Sequence, residues 1–116
     1  MKKIILGASG MLGHMVSYYF KKNQADVISY SRSTTSIDWL NGSLARVPEY
    51  SEKHISDLIQ HHRPCNVINC VGITNIKESV KEGNLINSKL PVFLSEILDQ
   101  KKDGSQLIQI STNGVF

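Results

Sequence analysis

Seven consecutive residues, Gly7-Ala8-Ser9-Gly10-Met11-Leu12-Gly13, restrict what this chain can fold into more than any other stretch. The apolar run Ile4-Ile5-Leu6 leads into them, and a helical pattern leads out. Strand, glycine turn and helix in that order aim backbone N–H groups and a helix N-terminus at one point, where a phosphate is stabilised. Glycine suits such a turn because the missing side chain lets the backbone approach a ligand closely. The spacing is G-x-x-G-x-x-G, which differs from the G-x-G-x-x-G of many dinucleotide-binding turns. Its weight therefore comes from its setting directly behind an N-terminal strand. Gly7, Gly10 and Gly13 are expected to form a phosphate-binding turn, with Ser9, Met11 and Leu12 beside them.

The rest of the chain alternates strand and helix. Met11, Leu12, Met15, Val16, Tyr19 and Phe20 fall on one helical face, and Lys21 and Lys22 suit its C-terminal end. Residues 25–30 read as a second strand around Val27 and Ile28. Ile37-Asp38-Trp39 is expected as a short third strand, and a helix is expected over residues 50–62, stopped by Pro64. The run Val67, Ile68, Cys70, Val71 reads as a buried strand over residues 66–71, closed by Gly72. A mostly helical stretch is expected over residues 77–102, with a break near Gly83, and a further strand over residues 106–110. Pro91 falls inside that helical stretch, where it cannot donate to the carbonyl of Asn87.

This alternation predicts an α/β fold: a Rossmann-type doubly wound parallel sheet with strand order 3-2-1-4-5. In such a sheet an acidic residue after the second strand binds the adenosine ribose hydroxyls of NAD, whereas an arginine accommodates the extra phosphate of NADP. No Asp or Glu lies between Val27 and Ile37, and Arg32 stands between two serines. The expected cofactor is therefore NADP(H), in preference to NAD(H).

Composition excludes several other classes. The chain has 116 residues, enough for one domain, and 41% hydrophobic with 20% charged residues is ordinary for a globular protein. The net charge of +3 comes partly from scattered lysine pairs, without a basic stripe interleaved with aromatics, so nucleic acid is not an expected partner. No apolar run reaches the roughly 20 residues needed to span a bilayer, and the first strand begins too early for a signal peptide. A cytoplasmic location is expected, with Cys65 and Cys70 as free thiols. His61-His62-Arg63-Pro64-Cys65 matches no zinc spacing, and no metal site is expected.

GASGMLG at 7–13, RPCNVINCVG at 63–72, Asn87 in NSKLP and IQISTNGVF at 108–116 together resemble the extended short-chain dehydrogenase/reductases. Within that superfamily the chain is most similar to the dTDP-4-dehydrorhamnose reductase and NAD-dependent sugar epimerase group, whose fifth strand ends in a similar S-T-x-x-V-F. The resemblance implies that Gly7, Gly10 and Gly13 hold the pyrophosphate and that Arg32 meets the ribose phosphate. Asn69 and Gly72 would border the nicotinamide, Thr112 would hydrogen-bond the substrate carbonyl, and Asn87 would hold a proton-relay water. The free Asn87 carbonyl expected from Pro91 agrees with that last role.

The sequence departs from the group at several points. Cys70-Val71 stands in place of Ala-Ala, Cys65 in place of a common Asp, and Asn113-Gly114 in place of Asp-Tyr. The catalytic Tyr-x-x-x-Lys of the family would follow Phe116. Tyr18 and Lys22 have that spacing, but they lie late on the first helix, far from the phosphate-binding end, and are given no catalytic role.

The implied whole is a sugar-nucleotide reductase or epimerase with a nucleotide-linked sugar as substrate. Residues 1–116 would be its NADP(H)-binding N-terminal portion, truncated after the fifth strand and inactive alone. A stand-alone, non-catalytic NADP-binding sensor or regulatory module is one alternative, and a fold-only resemblance with no cofactor bound is another. The last strand carries Leu107, Ile108 and Ile110 without proline or lysine, so its open edge is expected to form a homodimer, to aggregate, or to be covered by residues absent from this sequence.

Overall fold

Five parallel strands form one sheet in the order β3-β2-β1-β4-β5, as the alternation predicts. The computed structural model describes residues 1–8, 11–23, 25–32, 44–47, 50–71 and 89–110. In chain order the elements are β1 (Lys2–Leu6), α1 (Met11–Lys22), β2 (Val27–Ser31), β3 (Leu44–Arg46), α2 (Glu52–His62), β4 (Cys65–Asn69), α3 (Leu90–Asp99) and β5 (Gln106–Gln109).

Side-chain alternation along the central strands divides the core between the two faces of the sheet. Ile4, Leu6 and Val67 pack with Ile55 and Ile59 of α2 and with Leu94, Ile97 and Leu98 of α3. Ile5 and Ile68 point the other way, where Val16 and Phe20 of α1 cover them. The serine hydroxyls of Ser17 and Ser29 bond at 2.9 Å in the buried seam between α1 and β2, and Ser17 also donates to the Gly13 carbonyl at 2.9 Å. Polar groups in that seam are thus satisfied by each other rather than by water.

The element boundaries differ from the sequence reading in four places. The third strand is Leu44–Arg46, paired with Ser29–Ser31, whereas residues 37–39 lie outside the described residues. Leu44-Ala45-Arg46 is too short to show an alternating pattern, and it is recruited by the edge that β2 offers. Helix α2 starts at Glu52: Ser51 takes extended backbone angles and its hydroxyl accepts the His54 N–H at 3.4 Å, as an N-cap does. Tyr50 is therefore outside the helix. Helix α3 as described spans Leu90–Asp99, ending before the expected Lys102, with Pro91 in its first described turn; the expected helical residues 77–88 lie outside the described residues. Asn87, whose carbonyl is expected to be free, lies outside the described residues. Finally, β4 begins at Cys65, earlier than expected, and its ladder hands over at Cys70, whose N–H donates to the Leu6 carbonyl at 2.9 Å.

One buried arginine fixes the corner where α3 returns to the sheet. The Arg63 side chain is only 5% exposed; it donates to Asp103 at 2.8 Å and to the last-turn carbonyls of Ile97 at 2.8 Å and Leu98 at 3.0 Å. A guanidinium in that position satisfies carbonyls that the helix leaves without partners and complements the negative end of its dipole. It also holds the Asp103 carboxyl well below the usual carboxylate range.

Candidate functional site

All five strands run the same way, so their C-terminal ends share one edge. Gly7 follows β1, Arg32 follows β2, Val47 follows β3, Cys70-Val71 follows β4 and Ile110 follows β5. The chain leaves β1 toward β2 on one side, while β4 flanks β1 on the other. That divergence is the crevice where open α/β sheets bind ligands.

The turn after β1 is built for close approach. Gly7 has φ +76°, in the left-handed region that side chains disfavour, and a Cβ there would stand 2.9 Å from the backbone of Cys70 and Val71. The Ala8 N–H is taken by the Tyr30 carbonyl at 3.0 Å, which joins the turn to the end of β2. Gly13, in the first turn of α1, also has a packing role. A Cβ there would meet the Gly7 carbonyl, with its carbon at 2.8 Å and the Ala8 Cα at 2.9 Å. Gly13 thus lets α1 sit directly on the turn, which brings the helix N-terminus to the sheet edge. No carboxylate occupies the first turn of α1.

Two further clusters lie on the same edge. Arg32 is exposed, with its carbonyl accepting from Arg46 at 3.1 Å and its guanidinium 5.5 Å from the centre of the Tyr50 ring. Tyr50 is 9% exposed, and its hydroxyl accepts the Gly7 N–H at 3.1 Å. Burial pushes the Tyr50 phenol upward, partly offset by the Gly7 bond and the charge on Arg32. On the other side of β1, the fully buried Asn69 donates to the Gln109 side chain at 2.8 Å and accepts the Val71 N–H at 3.1 Å, which fixes the end of β4. Burial also pushes the neighbouring Cys70 thiol up to about 11. Both cysteines are free thiols.

Of the residues expected at the site, Gly7, Leu12, Gly13, Arg32 and Asn69 gather at this edge, and Met11 opens α1. Ser9, Gly10, Gly72, Asn87 and Thr112 lie outside the described residues. Sequence reasoning missed Tyr50 by counting it into the helix. The available signal was Ser51: a serine three residues before His54 and ahead of the apolar face marks an N-cap and leaves Tyr50 just outside. Among the described residues no group of three or more His, Cys, Asp or Glu could hold a metal ion, and no helix is long and apolar enough to cross a membrane.

These features make a turn that a Cβ would fill, a helix N-terminus behind it, and a cation at the end of the second strand. They suit a ligand with a diphosphate. The model of the NAD dependent epimerase/dehydratase family matches residues 4–116. No curated protein matches the chain at a significant level. Among solved structures, a UDP-glucose 4-epimerase from Thermotoga maritima, crystallised with UDP-glucose, superposes with TM-score 0.74 at 21% identity, over 94% of this chain and 37% of that one. A short chain dehydrogenase from Leptospira borgpetersenii with bound NAD+ gives 0.72 at 20% identity, over 93% and 50%. A Thermus thermophilus UDP-glucose 4-epimerase in complex with NAD gives 0.71 at 14% identity, over 91% and 36%. The chain spans about a third to a half of the length of these proteins.

Proposed function

Because the chain belongs to the NAD-dependent epimerase/dehydratase family, we propose that it is the dinucleotide-binding N-terminal portion of a sugar-nucleotide reductase or epimerase. The observation that carries this reading is the bare turn of Gly7 with α1 seated on it through Gly13. A pyrophosphate is favoured at the N-terminus of α1, where the helix dipole and the N–H groups of the first turn stabilise an anion, since the Gly7 and Ala8 N–H groups are already bonded to Tyr50 and Tyr30. The nicotinamide group supplies or accepts a hydride when bound, and the protein's part is to place it. Gly7, Ser9, Gly10, Met11, Leu12 and Gly13 bind the diphosphate in this proposal, with Asn69 and Gly72 bordering the nicotinamide. Thr112 aligns a sugar carbonyl and Asn87 holds a proton-relay water. The substrate is a nucleotide-linked sugar, and the segment with the Tyr-x-x-x-Lys pair and the substrate domain belongs to the rest of the protein. Copies of the chain associate through the open edge of β5.

The cofactor in this proposal is NADP(H), in preference to NAD(H). Arg32 supports it: an exposed guanidinium follows β2, where an acidic residue would select the ribose hydroxyls. The test is a titration of NADPH and NADH against the wild type and Arg32→Glu. NADPH is expected to bind more tightly than NADH to the wild type, and the substitution should remove about 1.5–3 kcal/mol of its binding. Equal wild-type affinity for the two would overturn the NADP preference, and no binding of either would overturn the dinucleotide reading itself.

A further inference from the structure

Tyr50 touches both halves of the proposed site. Its hydroxyl accepts the Gly7 N–H at 3.1 Å, and its ring lies 5.5 Å from the Arg32 guanidinium carbon. A cation at that distance from an aromatic ring is held by the ring's negative face. The tyrosine itself is fixed from below. It immediately precedes the N-cap Ser51 and belongs to the same buried cluster as Ile55, the pair of positions that forms a hydrophobic staple at a helix start. The Val47 N–H donates to the Ser31 carbonyl at 3.1 Å and Arg46 donates to the Arg32 carbonyl at 3.1 Å, so the backbone on which Arg32 stands is tied to β3. A side chain with Arg32's flexibility loses much rotamer freedom when it engages a phosphate, and a ring that already holds its head reduces that loss.

We propose that Tyr50 is a positioning residue that sets dinucleotide specificity: its ring holds Arg32 toward the ribose phosphate while its hydroxyl locks that assembly to the Gly7 turn. The inference rests on the dinucleotide reading above. The two groups of Tyr50 act separately. The hydroxyl steadies the turn that both NADPH and NADH would use, whereas the ring bears only on the arginine that NADPH alone engages.

The experiment compares NADPH and NADH affinities, by calorimetric titration, for the wild type, Tyr50→Phe and Tyr50→Leu, each also in an Arg32→Ala background, with folding checked by circular dichroism. Tyr50→Leu should reduce the preference for NADPH over NADH by about 3- to 10-fold, and this change should vanish in the Arg32→Ala background. Tyr50→Phe should weaken both dinucleotides alike, by about 3- to 10-fold, and leave their ratio unchanged. A merely structural tyrosine would lower both affinities together in every variant. An unchanged ratio in folded Tyr50→Leu, or the same change with and without Arg32, overturns the inference while leaving the dinucleotide reading intact. Should Tyr50→Leu not fold, Tyr50→Met replaces it in both Arg32 backgrounds, and an unchanged NADPH-to-NADH ratio there overturns the inference. Failure of the wild type to bind either dinucleotide overturns the underlying reading and this inference with it.

Discussion

Replacing Gly13 with alanine sets two effects of opposite sign against each other. Gly13 lies within α1, where alanine is intrinsically preferred by about 1 kcal/mol. Propensity alone therefore predicts a more stable protein. Packing predicts the reverse. The new Cβ would stand 2.8 Å from the Gly7 carbonyl carbon and 2.9 Å from the Ala8 Cα. Against the ordinary carbon–carbon separation of about 3.5–4.0 Å, the shortfall is about 0.6–1.2 Å. The atoms in the way are backbone, on a turn whose own N–H groups are bonded to Tyr50 and Tyr30, so they cannot swing aside as a long side chain would. Overpacking of that kind costs about 3 kcal/mol, the upper part of the usual range. The net expectation is a loss of about 2 kcal/mol, a fall in melting temperature of roughly 6–10 °C for a domain of this size. Thermal unfolding followed by circular dichroism reads it directly, with Leu12→Ala as a control, since Leu12 is exposed in the same turn of helix. A Gly13→Ala protein as stable as the wild type, or more so, would refute the claim that α1 rests on the turn through this glycine.

The Asp103 carboxyl is held below its ordinary value of 3.8, first by the hydrogen bond from Arg63. A depressed carboxylate adds stability above its unfolded-state pKa, and that contribution drains away as pH falls below about 4. The melting temperature should accordingly drop more steeply between pH 5 and pH 3 in the wild type than in Asp103→Asn, and parallel slopes would contradict the role given to this pair. At the open edge of β5, Ile108 is 49% exposed, and Ile108→Lys should reduce concentration-dependent association measured by light scattering. Identical scattering for the two proteins across a concentration series would show that β5 does not drive it.

What the sequence made legible follows from which residues carry periodic information. Ile4-Ile5-Leu6 and Val67-Ile68 are continuous apolar runs because a central parallel strand is covered on both faces, so β1 and β4 could be read directly. The strand order followed from the alternation of elements and the handedness of their connections. β3 could not be read, because a three-residue edge strand owes its conformation to its neighbour β2 rather than to its own pattern. At the site, Gly7 and Arg32 were legible because their places after β1 and β2 are fixed by topology. The contact between Gly13 and the Gly7 carbonyl, and the reach of Tyr50 to Gly7 across 43 residues of chain, exist only in the assembled structure.

The central claim is that the edge formed by Gly7, the N-terminus of α1 and Arg32 is a dinucleotide site. The most direct measurement is the change in backbone amide chemical shifts of the isotope-labelled chain as NADPH is added. The account predicts saturable changes concentrated at Gly7, Leu12, Gly13 and Arg32, with smaller ones at Cys70 and Val71. Changes confined instead to the apolar groove between α1 and β5, around Met15, Tyr19 and Ile108, or no changes at saturating NADPH, would contradict it.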